Sequence, residues 1–259
     1  MPVAGGIYYE LHGPEDGEVL VLSPGLGGSA NYWKPNLAAL SARYRVLLYD
    51  HMGTGRSGQR LPEAVTIDSI SYDIQILLET LGIERAHFVG HALGGLIGLQ
   101  IAFQADCIDK LVIVNAWAEL DPYTRRCFDV RLELLRNSGP AAFVRAQPIF
   151  LYPAGWISAN DALLEAEAQH QLAHFPPIET IESRIGALRD WSLWKDCANC
   201  ADLLVIGTED DMLVPFEASE RLASALPQAR FQPVKWGGHA CNVTDPDSFN
   251  RIVIDFLGE

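Results

Sequence analysis

The chain reads as an α/β fold: a mostly parallel central sheet with helices on both faces and a helical cap inserted in the core. Three observations predict it. Short apolar runs alternate with helical periodicities through the first 115 residues. Strand-like runs then vanish from Ala116 to Asp190, and the alternation resumes after Asp190. The division is a core of residues 1–115 and 191–259 with a cap of residues 116–190. At 259 residues, 49% of them hydrophobic, the chain can bury one large core without staples.

In order, Gly6–Leu11 reads as an outer strand and Glu18–Ser23 as a buried one, followed by Tyr44–Asp50, Ala86–Val89 and Lys110–Asn115. Ile67, Ile70, Ile74, Leu77, Leu78 and Leu81 fall at helical spacing, with Thr66 placed to cap the first turn. In the cap, prolines at 122, 140, 148, 153, 176 and 177 divide the sequence into short helical pieces. Phe128, Leu132 and Leu135 make an apolar helix face there, suited to packing on the core. Ala201–Gly207 is a buried strand, Phe216–Ala225 a helix and Ala229–Val234 a further strand. The closing helix has Asp245 as N-cap, Pro246 in its first turn, and an apolar stripe of Phe249, Ile252, Val253, Phe256 and Leu257.

Composition narrows the partners. A formal net charge of -14 and an isoelectric point near 4.8 oppose binding to nucleic acid or an anionic membrane surface. No apolar run approaches a membrane span and the start lacks the pattern of a secretory signal, which places the chain in the cytoplasm. Five scattered cysteines do not form a disulfide framework, and the single Cys197-x-x-Cys200 pair reads as ordinary thiols, so no metal and no cofactor are expected. A homodimer is compatible with the sequence. A small anionic substrate would need local positive charge, and the densest basic cluster is Arg125, Arg126 and Arg131, although arginines on a helix commonly form a solvated face.

The chemistry concentrates at Gly90-His91-Ala92-Leu93-Gly94, where a buried strand turns into an apolar helix. The pattern Gly-x-Ser-x-Gly at such a turn presents a nucleophile, and here its middle residue is Ala92. A methyl group cannot attack. Either the chemistry needs no enzyme nucleophile, or it has been lost, or a serine has been replaced. Ser23-Pro24-Gly25-Leu26-Gly27-Gly28 follows a strand and offers a backbone N–H to a developing oxyanion, as does the residue after the elbow. Leu26 and Leu93 are therefore the candidate donors. Asp211, in Asp-x-x-Val-Pro, is chosen to orient a histidine, with Asp210 as its close competitor; at least one of the two suits a cap for the helix from Phe216. His239, in Gly237-Gly238-His239-Ala240, follows in the required chain order, while His91 is given a supporting role. His12, His51, His87, His170 and His174 read as structural.

These elements together resemble the α/β-hydrolase superfamily. Longer segments resemble, more narrowly, the pyrimidine-utilisation protein D (RutD) family: residues 25–29, 89–94, 124–128, 146–154, 210–215 and 237–246, which span almost the whole chain. That family also has alanine at the elbow, so the departure is from the superfamily. It tends to have Asp-Gln-Arg-Gly where this chain has Asp50-His51-Met52-Gly53, which removes the expected cation from that turn. The resemblance implies hydrolysis of 3-aminoacrylate or carbamate with release of ammonia in uracil degradation. His239, oriented by Asp211, would then activate a water above Ala92. Three other readings use the same residues: a non-catalytic binding module, a serine esterase or lactonase inactivated at Ala92, and a cofactor-free oxygenase.

Overall fold

The computed structural model describes residues 1–58, 61, 65–193 and 202–259; the Cys197–Cys200 pair lies outside them. Eight strands form one sheet: β1 (Val3–Ala4), β2 (Ile7–His12), β3 (Val19–Ser23), β4 (Arg45–Tyr49), β5 (Ala86–His91), β6 (Ile108–Val114), β7 (Asp202–Thr208) and β8 (Ala229–Val234). Their order is β1-β2-β4-β3-β5-β6-β7-β8. Only β1–β2 and β2–β4 are antiparallel. From β4 onward every pairing is parallel, which requires a crossover between neighbours and places helices on the faces.

Strand periodicity divides the core into two clusters. Val21, Leu47, Phe88, Leu111, Ile113, Leu203 and Val205 face one cluster, while Leu20, Leu22, Val46, Leu48, Val89, Val112, Val114, Leu204 and Ile206 face the other. The first cluster is covered by α2 (Ile67–Thr80), α3 (Leu93–Gln104) and α8 (Phe216–Ala225). The second is covered by α1 (Lys34–Ser41) and, after the short α9 (Cys241–Thr244), by α10 (Pro246–Gly258), with Phe249, Val253, Phe256 and Leu257 buried on α10. Thr66 caps α2 through a reciprocal pair with Ser69, and Asp245 caps α10 through the Ser248 N–H.

Between β6 and β7 come α4 (Pro122–Leu151), α5 (Ala154–Ala159), α6 (Asp161–Ala173) and α7 (Ile178–Asp190). The prolines do not divide this region as the sequence suggests. Pro122 starts α4, and Pro153 and Pro177 precede α5 and α7, where a missing N–H goes unnoticed. Pro148, by contrast, lies within α4. The real break is Gly139, at φ 80° and ψ 179°, so that Pro140 opens a second helical segment. Phe128, Leu132 and Leu135 are buried against the first cluster.

Candidate active site

The elbow begins with geometry that only its glycines allow. A Cβ on Gly94 would lie 2.3 Å from the Ser23 carbonyl oxygen, and one on Gly90 would lie 2.2 Å from that of Gly94. These absent side chains let α3 cross the sheet directly over β3 and β5. The turn residue, Ala92, takes φ 48° and ψ −108°, outside the ordinary regions for a residue with a Cβ. Its N–H donates to the Val114 carbonyl at 2.8 Å, and its own carbonyl accepts from Gly95 and Leu96, which starts α3. The strained shape of a nucleophile turn thus persists around a methyl group.

His239 and Asp211 meet beside it. His239 Nδ1–H donates to Asp211 Oδ2 at 2.8 Å, and both side chains are buried. The other Asp211 oxygen accepts from the N–H groups of Leu213 and Val214, at 2.7 and 2.9 Å. A carboxylate accepting only N–H bonds keeps His239 in the Nδ1–H tautomer, which leaves a lone pair on Nε2. Among the described residues Nε2 has no hydrogen-bond partner.

Asp210 secures the neighbouring loop. Its two oxygens accept from the N–H groups of Gly237 and Gly238, fixing the turn that presents His239. Neither aspartate caps α8, contrary to the sequence expectation; Pro215 precedes that helix without a side-chain cap. Their oxygens are consumed by the two loops instead.

Two residues hold the His239 backbone. The His91 ring donates from Nε2 to the His239 carbonyl at 2.8 Å and stacks on Tyr32 at 4.8 Å between centroids. Burial, with His239 adjacent, holds the His91 imidazole well below its ordinary value, so it is a neutral strut. Asn115, with φ 51°, donates to the same carbonyl at 2.7 Å and accepts from the Thr208 N–H at 3.0 Å. Sequence reasoning misses Asn115. An asparagine ending a strand carries no motif, and only the left-handed backbone makes it distinctive.

The N–H groups of Leu26 and Leu93 have no acceptor among the described residues. The Leu26 carbonyl is held by Arg184 Nη1 at 3.2 Å, and Arg184 Nη2 donates to the Met52 carbonyl at 2.7 Å. Arg184, on α7, is fully buried, and a Cβ on Gly28 would lie 2.6 Å from its Nη1. Burial lowers its pKa to about 10, so it stays charged at neutral pH. The turn carrying Met52 therefore receives a cation from another element. Nothing in the local sequence around Arg184 marks this.

The three candidate arginines separate. The helical register that buries Thr124, Cys127, Phe128 and Arg131 turns Arg125 and Arg126 outward, where both are exposed. They form the solvated face that arginines on a helix commonly make. Arg131 alone points inward. Among the described residues no cluster of three His, Cys, Asp or Glu side chains could hold a metal ion, and no helix is long and apolar enough to cross a membrane.

With this geometry in view, comparison with known proteins is specific. The alpha/beta hydrolase fold family matches residues 18–246. A protein of Caulobacter vibrioides (strain NA1000 / CB15N) named "Putative carbamate hydrolase RutD" is 49% identical over 256 residues, covering 97% of this chain and 95% of that protein. A protein of the same name from Stutzerimonas stutzeri (strain A1501) is 48% identical over 257 residues, covering 98% and 97%. Among solved structures, the enol-lactonase of Burkholderia xenovorans LB400 superposes with a TM-score of 0.87 at 28% identity, covering 98% of this chain and 96% of that one. The chain belongs to the α/β hydrolase fold family and, within it, to the family of RutD proteins.

Proposed function

We propose that this protein is a hydrolase of the uracil-degradation pathway that releases ammonia from 3-aminoacrylate or carbamate by adding water, without an enzyme nucleophile. The observation that carries the reading is the buried His239–Asp211 pair, with Nε2 left unpartnered at an elbow whose turn residue is alanine. The names of the RutD relatives, carbamate hydrolases, support the substrate class. The helices α4–α7 act as the cap of the site.

In the proposed step His239 Nε2 takes a proton from a water lodged above Ala92. The hydroxide adds to C3 of the imine tautomer of aminoacrylate, the bond from that carbon to nitrogen becomes single, and the imidazolium gives its proton to the nitrogen, forming a carbinolamine. His239 Nε2 then takes the hydroxyl proton and passes it to the amino group as the C–O bond becomes double and the C–N bond breaks, so ammonia leaves and malonic semialdehyde remains. Carbamate would follow the same sequence to ammonia and bicarbonate. The Leu26 and Leu93 N–H groups stabilise the oxygen as charge develops on it. A positioned proton transfer of this kind contributes ~10²–10⁴-fold, which matters for compounds that also decay unaided.

The test is the loss of freshly generated 3-aminoacrylate, and separately of carbamate, with and without protein. Acceleration proportional to protein concentration is expected for one of them. No acceleration of either, with stoichiometric binding, would instead favour the non-catalytic module. The enol-lactonase likeness raises a second reading, a disabled esterase. Its test is Ala92→Ser: vigorous hydrolysis of an activated ester by the variant, with no aminoacrylate activity in the parent, would favour it.

A further inference from the structure

Among the described residues, Arg131 is a buried cation without a counter-ion. Its side chain is 3% exposed, and its guanidinium lies over the rings of Phe143 and Phe150, at 5.1 and 5.7 Å from their centroids. Its one hydrogen bond among the described residues is a long contact from Nη2 to Gln147 Oε1, at 3.4 Å, and its buried Nε has no partner. The Cys127 thiol, one helical turn away, acts on it favourably, but burial pushes that thiol up, so it is neutral. An unpaired buried charge is strongly unfavourable. Arg184, the other fully buried arginine described above, spends its donors on two carbonyls; Arg131 does not.

Its helix is tied to the loops on both sides of the His239–Asp211 pair. On the same face of α4, Thr124 Oγ1 donates to the Leu213 carbonyl at 2.9 Å and the Cys127 thiol reaches that of Met212, two residues of the loop tied to Asp211. On the other side, Phe150 adjoins Leu151, whose carbonyl accepts the Ala240 N–H at 3.0 Å, next to His239. Gln147 and Leu151 also line a cavity with Tyr152 and Glu167. Burial raises the pKa of the Glu167 carboxyl in that cavity.

We propose that Arg131 is the anchor for the carboxylate of a small monoanionic substrate, presenting its planar fork from the cap to the ligand held over His239. This rests on the hydrolase reading only for the identity of the site; the anion site itself can be tested without turnover. A planar carboxylate matches the free Nε and Nη edge, and the two phenylalanine rings exclude the water that would otherwise compete.

The experiment measures binding of acrylate, an unreactive carboxylate of the right size, to the full-length protein by calorimetry, with acrylamide as the neutral isostere. Acrylate should bind one to one and acrylamide at least about 30-fold more weakly, as expected for loss of a buried charge contact. Arg131→Gln should abolish the preference, and Arg125→Gln with Arg126→Gln should leave it intact. Should Arg131→Gln fail to fold, Arg131→Lys keeps the charge without the fork and should still weaken acrylate binding. Equal binding of acrylate and acrylamide to the parent, or unchanged acrylate binding by a folded Arg131→Gln protein, would overturn the assignment. Selective acrylate binding by a protein that accelerates neither aminoacrylate nor carbamate loss would refute the hydrolase reading and leave the anion site standing.

Discussion

At the scale of single residues, the elbow keeps a costly conformation that its present side chain does not need. A residue with a Cβ at φ 48° and ψ −108° stores on the order of 1–3 kcal/mol of strain. Ala→Gly at an ordinary ordered position loses roughly 0.5–1 kcal/mol through the entropy of the unfolded chain. Here relief of strain offsets that loss, so Ala92→Gly should leave the urea midpoint unchanged or raise it. A clear drop in the midpoint would mean that the turn is relaxed. The residues that meet at this turn, Ala92, Asp211 and His239, are legible in the sequence because each sits in a motif with a fixed chain order. Asn115 and Arg184 are not, because their partners are backbone carbonyls of distant loops. A residue that recognises backbone leaves no complementary side chain to find.

At the scale of elements, strands β2 to β8 are legible as short β-rich runs, those of β3 to β7 being apolar and largely buried on both faces, and helices α2, α8 and α10 because their burial follows a period of 3.6. Helix α1 buries only Asn36 and Leu40, and β1 has two residues, so neither produces a pattern to read. The long helix α4 escapes a reading in which every proline terminates a helix, since Gly139 makes the break. The contact of α3 with the sheet rests on missing side chains. A methyl at Gly94 would collide with backbone at Ser23, which cannot swing aside, so Gly94→Ala should destabilise by ~3 kcal/mol or more. Thermal unfolding reads this directly. A variant as stable as the parent would show that α3 can retreat from β3.

For the whole molecule, acid should unfold the protein through its buried neutral histidines. His51 donates from Nε2 to the Pro24 carbonyl, and burial beside Arg184 holds its pKa down to about 3 against 6.5 for a free imidazole. The folded state therefore binds fewer protons than the unfolded chain between these values. Stability is full above about pH 6.5 and declines as pH falls toward 3, with His91 acting in the same direction. Between pH 6.5 and 5 the His51 contribution lost is about 2 kcal/mol. Self-repulsion of the -14 charge relaxes as the isoelectric point near 4.8 is approached, and acts the other way. A urea midpoint that falls from pH 7 to pH 5, and falls less in His51→Gln, is expected; a midpoint that rises would show that net charge dominates.

The same assembly of sheet edge, loops and cap leads to one decisive rate, because everything turns on whether His239, held by Asp211, activates water over Ala92. The measurement is the first-order decay of 3-aminoacrylate, and of carbamate, in the presence of the parent and of His239→Ala at equal concentration, with folding of the variant checked by its unfolding midpoint. The parent should accelerate one of them, and the folded variant should lose ~10²–10⁴-fold of that acceleration. A folded His239→Ala protein as fast as the parent would contradict water activation by His239.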